Sequence, residues 1–297
     1  MNKETVSQYA VQKGKPITIS AFRQLVWRYY KAHGRHELPW RTTRNPYYIL
    51  VSEIMLQQTQ VERVIPFYSS FITQFPTIHQ LARAPLSEVL TAWQGLGYNR
   101  RAKMLHTATI TVVERYHGIL PKNSTQLESL SGVGPYTARA IMTFAWNYEE
   151  IFIETNIRTV FLHHFFNGVT HLVSDKNIIK YISLTLPKKY PRQWYFALMD
   201  YGAYLKQQGV RINKYSVHYV IQKPFSGSLR EVRGAIVRRL SHNSATQEML
   251  LSLYGARRRA QSLRALEMLM SEKLVMKKGR YIVLSDASGL VSGANQE

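Results

Sequence analysis

The segment that most restricts the fold is a glycine-containing turn between two predicted helices, Leu-Ser-Gly-Val-Gly-Pro-Tyr-Thr-Ala at 130–138. One helix ends at Leu130 and the next begins near Pro135, because proline favours the first turn of a helix. Glycine permits a tight turn and the close approach of an anion, which the start of a helix attracts. The pattern predicts a helix–hairpin–helix whose backbone N–H groups, from Gly132 to Tyr136, contact a DNA phosphate. An ordinary helical hairpin is the alternative.

Helical periodicity dominates the first 220 residues. Apolar residues recur at helical spacing from Ser20, and the pair Asn45–Pro46 provides a capping residue and a first-turn proline for the next helix. Further helices are predicted near 60–75, 86–94, 99–116, 124–130, 137–146, 156–166, 175–184 and 192–205. Strand-like alternation is scarce, so this part of the chain is predicted to be all-α.

Residues 206–228 lack that periodicity and contain Pro and Gly, which is typical of a linker. Three short helices and two short strands around a Lys-Gly turn then predict a winged-helix-like module. These elements span 229–240, 245–253, 258–272 and 274–284. Residues 225–297 carry 12 basic and 6 acidic residues, a net charge of +6 that suits contact with DNA. A small α+β module without a DNA role fits the same pattern.

Composition narrows the class of protein. The chain has 39 Lys and Arg against 18 Asp and Glu, and its charge of +21 favours nucleic acid as partner over an acidic membrane. No segment approaches the about 18 apolar residues of a membrane helix, and the N-terminus lacks a signal-peptide core, so we expect a cytoplasmic protein. The sequence contains no cysteine, which excludes disulfides, thiolate nucleophiles and cysteine-ligated zinc or iron–sulfur clusters.

Glu53 is the first candidate catalytic residue. On the helix that begins at Pro46 it shares a face with Ile49 and Leu56. Loss of water around a carboxyl raises its pKa and suits it to general-acid catalysis. A glutamate at the edge of that face is the alternative. The amides of the following Gln57 and Gln58 could contact base edges or simply be solvated.

Glu154 offers a contrasting carboxyl. It precedes a predicted helix with Ile157, Val160 and Phe161 at helical spacing, and a carboxylate at a helix N-terminus is expected to stay ionised. Two carboxyls in opposite protonation states suit an acid paired with a stabiliser of positive charge. A helix cap without catalytic function is the alternative. The ten histidines form no recognisable ligand set, so no metal site is predicted.

Taken in order, several sequence blocks resemble the adenine DNA glycosylases of the helix–hairpin–helix base-excision superfamily. The blocks lie at 38–41, 45–47, 51–59 (Val-Ser-Glu-Ile-Met-Leu-Gln-Gln-Thr), 64–66, 93–98 (Trp-Gln-Gly-Leu-Gly-Tyr), 130–137, 154–158 and 199–203. The resemblance covers about residues 20–222 and implies a mainly α, two-lobed helix–hairpin–helix glycosylase fold. Its expected parts are a flexible leader (1–18), a glycosylase region (19–222) with a six-helix lobe (about 39–148) and a second lobe (19–38 plus 149–222), and the winged-helix-like module (223–297).

The resemblance also implies roles for single residues. Glu53 matches the general acid that protonates the flipped adenine, and Glu154 matches the carboxylate that stabilises the sugar cation. The other roles are active-site positions facing the sugar at Tyr136 and Asn156, a duplex wedge at Gln58 and Tyr98, phosphate contacts at Gly132, Val133 and Gly134, and the edge of the base pocket at Trp40 and Arg41. The endonuclease III branch has a lysine at the position of Tyr136, so we expect base removal without strong lyase activity.

The chain departs from this family in three places. The family's second carboxylate is an aspartate, whereas Glu154 is one methylene longer. The usual C-terminal Nudix-like domain, which helps the family recognise 8-oxoguanine, is replaced by the winged-helix-like module. The four cluster cysteines would fall on Lys206, Asn213, Ser216 and Gln222. No iron–sulfur cluster or other cofactor is therefore expected, while a monovalent cation at the hairpin stays open.

The sequence thus predicts a monomeric, nucleoid-associated DNA glycosylase that acts on double-stranded DNA. Its expected substrate is adenine mispaired with guanine or 8-oxoguanine. Two alternatives stay open. The same scaffold could remove thymine or uracil opposite guanine, or it could bind DNA without catalysis.

Overall fold

The computed structural model describes residues 17–219 and 224–286. The helices are α1 (Ile19–His33), α2 (Pro46–Leu56), α3 (Val61–Gln74), α4 (Ile78–Arg83), α5 (Leu86–Ala92), α6 (Arg100–Tyr116), α7 (Ser124–Glu128), α8 (Pro135–Trp146), α9 (Thr155–Phe165), α10 (Asp175–Thr185), α11 (Pro191–Gln207), α12 (Leu229–His242), α13 (Gln247–Leu251) and α14 (Arg259–Ser271). The expected leader lies outside the described residues except for its last two. Within the described ranges, no helix combines the length and apolarity that crossing a bilayer requires.

The chain divides into two compact units. Among the described residues, unit 1 comprises 17–44 and 138–219, and unit 2 comprises 45–137 and 224–286. Each unit is built from segments that are distant in the sequence. The C-terminal module therefore belongs to the same unit as helices α2 to α7.

Unit 1 is organised around a buried aromatic cluster. Phe22 of α1 lies with its ring centroid 5.3 Å from that of Phe161 on α9 and 6.0 Å from that of Trp194 on α11. All three side chains are fully buried. Aromatic residues bury large apolar areas, so this cluster holds the three helices together.

Unit 2 has α2 at its centre. Tyr47 and every residue from 49 to 55 are buried, so this helix is enclosed on all sides rather than on one apolar face. Helix α4 (Ile78–Arg83) was not predicted, because six residues are too few for a clear helical period. Its sequence signal is the capping box of Thr77 and Gln80, in which each side chain bonds the other's backbone N–H.

The C-terminal module contains α12 to α14 and a three-stranded antiparallel sheet in the order β1 (Ala245–Thr246), β3 (Tyr281–Leu284), β2 (Val275–Lys278). The predicted hairpin is confirmed, with Val275 opposite Leu284. The predicted helix over 245–253 is wrong at its start, because Ala245 pairs with Ile282 in the sheet. Thr246 is extended and its hydroxyl accepts the N–H of Met249. It therefore caps α13, which begins at Gln247 rather than at the predicted residue 245.

Candidate active site

Glu53 lies in the third turn of α2, in unit 2. Asn45 caps this helix by accepting the N–H of Tyr47 at 3.0 Å, and Pro46 occupies the first turn, as predicted. The Glu53 side chain is 6% exposed, in a helix whose neighbouring residues are all buried. A carboxyl group is therefore held in the interior of unit 2, the environment that the sequence indicated for a general acid.

The end of α2 is held by Arg101, a residue that sequence analysis missed. Its guanidinium donates hydrogen bonds to the backbone carbonyls of Ile54, Met55, Gln57, Leu96 and Gly97 and to the hydroxyl of Thr59. Burial lowers the pKa of Arg101 to about 10, and the nearby Tyr98 acts in the opposite direction. One buried cation thus ties the loop after α2 to the loop before α6.

The two predicted wedge residues lie in these two loops. Gln58 has φ 57° and Tyr98 has φ 49°, both in the left-handed region that non-glycine residues seldom adopt. Each such residue costs about 1 kcal/mol or more, which surrounding contacts must offset. The hydrogen bonds of Arg101 to Gln57 and Gly97, each adjacent to one of them, supply that support.

Tyr98 also contacts the C-terminal module. Arg230 of α12 donates a hydrogen bond to the Tyr98 hydroxyl, and its guanidinium carbon lies 5.2 Å from the ring centroid. Two cavities of about 320 and 370 Å³ share Gln58, Tyr98, Arg230 and Gly234 among their lining residues. The module therefore lies beside the predicted wedge, a neighbour that sequence periodicity gave no signal for.

We expect replacement of Arg101 by methionine to lower the free energy of unfolding by about 2 kcal/mol, because buried carbonyls lose their donors. Single-turnover base release should fall by about 100-fold, since a shift near 1 Å in the wedge loops carries such a cost. Urea denaturation and a quenched-flow assay measure the two effects. Arg115, exposed on the same helix, gives the matched control, and an Arg101 variant as stable and active as Arg115→Met would contradict this account.

The hairpin predicted from the sequence lies between Leu130 and Pro135. Gly132 has φ 82°, and Val133 is buried with its N–H donating to Leu130 O at 3.1 Å. The amide of Val133 thus closes the turn, contrary to the expectation that it faces a phosphate. Pro135 has no N–H to donate. Gly132, Gly134 and Tyr136 remain as the predicted phosphate donors, and Gly134 is exposed.

Gln57 anchors this hairpin to the end of α2. Its side-chain Nε2 donates to Gly132 O at 3.2 Å and to Thr137 Oγ1 at 3.4 Å. This amide is therefore used inside unit 2, so the structure favours neither the base-edge contact nor the solvated amide that the sequence left open. Gln57 links the helix that carries Glu53 to the turn that precedes Tyr136.

Glu154 is the N-cap residue of α9, in unit 1. Its Oε1 accepts the N–H of Ile157 at 2.7 Å, and its Oε2 accepts the side-chain amide of Asn156 at 3.3 Å. Part of the residue is exposed, yet burial of the carboxyl raises the pKa of Glu154, against the lowering effect of the N–H groups of Asn156 and Ile157 and of Lys206 and Arg158. The net shift of the Glu154 pKa is upward because burial outweighs these lowering effects, and that Glu154 is ionised stays a prediction.

Trp40 and Arg41, predicted at the edge of a base pocket, are buried in unit 1. Arg41 forms a bidentate ion pair with Asp200 of α11, at 2.6 and 2.9 Å. Its guanidinium carbon also lies 4.5 Å from the ring centroid of Phe196. These contacts give Arg41 a structural function in unit 1, and contact with a base stays a prediction.

Three of the four expected cluster positions lie within the described residues. Lys206 Nζ donates to Asn156 Oδ1 at 2.7 Å, Asn213 Nδ2 donates to Thr159 Oγ1 at 2.9 Å, and Ser216 Oγ accepts the N–H of His218 at 3.1 Å. Gln222 lies outside them. Since the sequence has no cysteine, these positions do not fit a cluster held by four thiolates. Among the described residues, no three His, Asp or Glu side chains come together as a metal site.

Residues 51–187 match a family model described as HhH-GPD superfamily base excision DNA repair protein. These residues are an HhH-GPD domain. The domain includes α2 with Glu53, the hairpin, and α9 with its cap Glu154. The predicted resemblance to this superfamily is confirmed.

Curated relatives of the HhH-GPD domain agree with this. The chain is 35% identical over 187 residues to "Adenine DNA glycosylase" of Buchnera aphidicola subsp. Baizongia pistaciae, covering 63% of this chain and 53% of the relative. It is 37% identical over 188 residues to the protein of the same name from Mycolicibacterium smegmatis, covering 63% of each. A rat protein of that name is 38% identical over 148 residues, covering 47% of this chain and 28% of the relative. The chain thus spans less than two thirds of the lengths of these relatives.

Solved structures confirm the fold. A thermostable thymine-DNA glycosylase superimposes with a TM-score of 0.57 at 25% identity, covering 68% of this chain and 96% of that one. A trapped endonuclease III–DNA covalent intermediate superimposes with a TM-score of 0.52 at 20% identity, covering 63% and 87%. The mainly α helix–hairpin–helix glycosylase fold with a small C-terminal α+β module is therefore confirmed.

Proposed function

We propose that this chain is a monofunctional DNA glycosylase that removes adenine mispaired with guanine or 8-oxoguanine from double-stranded DNA. The observation that carries the proposal is the enclosed carboxyl of Glu53, inside an HhH-GPD domain whose curated relatives are named adenine DNA glycosylases. The excess of 21 positive charges supports a polyanionic substrate. We further propose that the enzyme works as a monomer at the nucleoid without a cofactor, whereas a cation at the hairpin stays a prediction.

In the proposed reaction the hairpin amides hold the DNA backbone while Gln58 and Tyr98 enter the stack beside the mispair. Flipping a base costs a few kcal/mol and is cheapest at a mispair, which supplies part of the selectivity. Holding these two loops rigid before DNA binds, as the contacts of Arg101 do, reduces the ordering cost on binding.

The chemical step breaks the bond between the sugar C1′ and the base nitrogen. The bonding electrons leave with adenine, which takes a proton from Glu53. Water then adds to C1′ and gives up a proton, which restores the acid form of Glu53, and the product is an abasic site. The carboxylate of Glu154 stabilises the positive charge that develops on the sugar. Asn156 and Tyr136 orient groups around the sugar, and Tyr136 cannot form a Schiff base, so strand cleavage is not expected.

The C-terminal module has its own proposed function. We propose that residues 223–297 form a winged-helix-like module that contacts the same duplex as residues 19–222. The support is the net charge of +6 over residues 225–297 and the contact of Arg230 with Tyr98. A role of this module in choosing the base opposite the adenine is part of this proposal.

The proposal is tested by single-turnover assays on duplexes with A:8-oxoguanine, A:G, T:G, U:G and full pairing, followed by alkali cleavage of abasic sites. We expect release of adenine from the first two duplexes only. Release of thymine would favour the second candidate, which the likeness to a thymine-DNA glycosylase over 96% of that chain supports. Tight binding without product on any duplex would leave a non-catalytic DNA-binding protein.

A further inference from the structure

Lys206, in the last turn of α11, contacts the N-terminal turn of α9. Its Nζ donates to Asn156 Oδ1 at 2.7 Å, and Asn156 Nδ2 donates to Glu154 Oε2 at 3.3 Å. A lysine ammonium can only donate hydrogen bonds, so it determines that the amide oxygen of Asn156 faces it. The amide nitrogen is then left for Glu154. Three side chains thus form one chain of hydrogen bonds that ends at the carboxylate.

The close packing of α11 against α9 allows Lys206 to reach Asn156. Gly202 lies four residues before Lys206, on the same face of α11. A Cβ atom at Gly202 would lie 2.2 Å from the backbone oxygen of Asn156 and 2.8 Å from its Cβ. Any larger residue would push the start of α9 away, so Gly202 permits the approach that lets Lys206 reach Asn156.

The charges around Glu154 come from two elements. Arg158, on its own helix, forms two hydrogen bonds of 2.9 and 2.7 Å with Asp175 of α10, and His218 Nε2 lies 3.8 Å from that same carboxylate. Lys206 comes from α11, and its effect on the pKa of Glu154 is larger than that of Arg158. Burial lowers the pKa of Lys206, and Glu154 opposes this. The two groups therefore stabilise each other's charged forms in a site where burial disfavours both.

We propose that Lys206 is a positioning residue for base excision, which orients Asn156 and keeps Glu154 ionised to face the positive charge on the sugar. The inference rests on the proposed function for the part that Glu154 plays in the reaction. The family that this chain resembles has a cluster cysteine at the position of Lys206. Here the lysine side chain instead connects the end of α11 to Asn156 by a hydrogen bond. Glu154 has one methylene more than the family's aspartate. Both of its carboxylate oxygens are held by hydrogen bonds, one from the side chain of Asn156 and one from the backbone N–H of Ile157.

The test is a titration of ¹³C-labelled glutamate carboxyls by NMR, with the Glu154 signal assigned from its absence in Glu154→Gln. All variants carry His218→Gln, which removes the imidazole beside Asp175 from the comparison. In Lys206→Met the midpoint of Glu154 moves to higher pH, because a cation that favours its charged form is gone. Lys206→Arg restores the midpoint. If Lys206→Met does not fold, Lys206→Gln replaces it, since it keeps a donor without the charge.

Single-turnover rates supply the second readout. At pH 7 the Lys206→Met rate is expected to be about 10- to 100-fold lower, and the deficit shrinks as pH rises and Glu154 regains its charge. A purely structural function would give a loss independent of pH. An unchanged Glu154 midpoint with an active wild type overturns the inference. A shifted midpoint with no base release by the wild type overturns the proposed function instead, so the two failures are distinct.

Discussion

Glu53→Gln is expected to reduce base release by about 1,000-fold, within the range that a positioned general acid contributes. Glutamine keeps the size and shape of the side chain but has no proton to give to the leaving adenine. The residue is 6% exposed and its neighbours on α2 are buried, so water has little access to take over the proton transfer. A single-turnover assay on the A:8-oxoguanine duplex measures the loss.

Two controls separate the loss of a proton donor from the loss of the fold. Glu114→Gln makes the same chemical change at an exposed position of α6, and its rate should equal that of the wild type. Duplex binding, measured by fluorescence anisotropy, should be unchanged in Glu53→Gln because the hairpin and wedge loops are intact. A Glu53→Gln variant that excises adenine at the wild-type rate would assign this carboxyl a purely structural function.

The fold was predictable where local signals are strong. Asn45 and Pro46 mark the start of α2, and the two glycines of the hairpin mark a turn, because caps and positive φ depend on a few neighbouring residues. Short elements escaped prediction. Strand β1 (Ala245–Thr246) is defined by pairing with β3, which lies 35 residues further along the chain and leaves no local period.

The sequence pointed to the two carboxyl groups of the candidate site but not to the residues that hold them in place. Glu53 and Glu154 follow from helical face and helix terminus, whereas the charge state of Glu154 depends on burial and on Lys206, about 50 residues away. Arg101 looked like any basic residue of an amphipathic helix, and its six acceptors come from the last turn of α2, the loop after it and the loop before α6. Long-range partners of this kind are set by tertiary packing, which a single sequence does not encode in its periodicity.

Asp200→Asn is expected to lower the free energy of unfolding by about 3–5 kcal/mol, the cost of removing one partner from a buried ion pair. Asp200 and Arg41 have side chains only 2% and 4% exposed, and Asp200 also accepts the backbone N–H and the guanidinium of Arg35 at 2.9 and 2.7 Å. Asparagine retains part of the hydrogen bonding but leaves the Arg41 cation buried without its counter-charge. Urea denaturation at pH 7 measures the difference.

The pH dependence of that difference identifies its cause. Burial raises the pKa of Asp200, but the hydrogen bond and charge of Arg41 and the charge of Arg35 outweigh it, so the net shift is downward. A carboxyl whose pKa is lower in the folded state stabilises the fold above its unfolded pKa and loses that effect as pH falls through the folded value. The difference in free energy of unfolding between the wild type and Asp200→Asn should therefore stay constant, at about 3–5 kcal/mol, between pH 5 and 7. It should become smaller in strong acid.

The matched control for Asp200 is a carboxylate whose ion pair faces solvent. Glu248 pairs with Arg259 at 2.6 Å with side chains 69% and 47% exposed, and such pairs contribute little because water screens them. Glu248→Gln should leave the urea midpoint unchanged, although its ion pair is as short as that of Asp200 with Arg41. Equal losses in the two variants would show that the distance between the charges, and not their removal from water, determines how much each ion pair stabilises the fold.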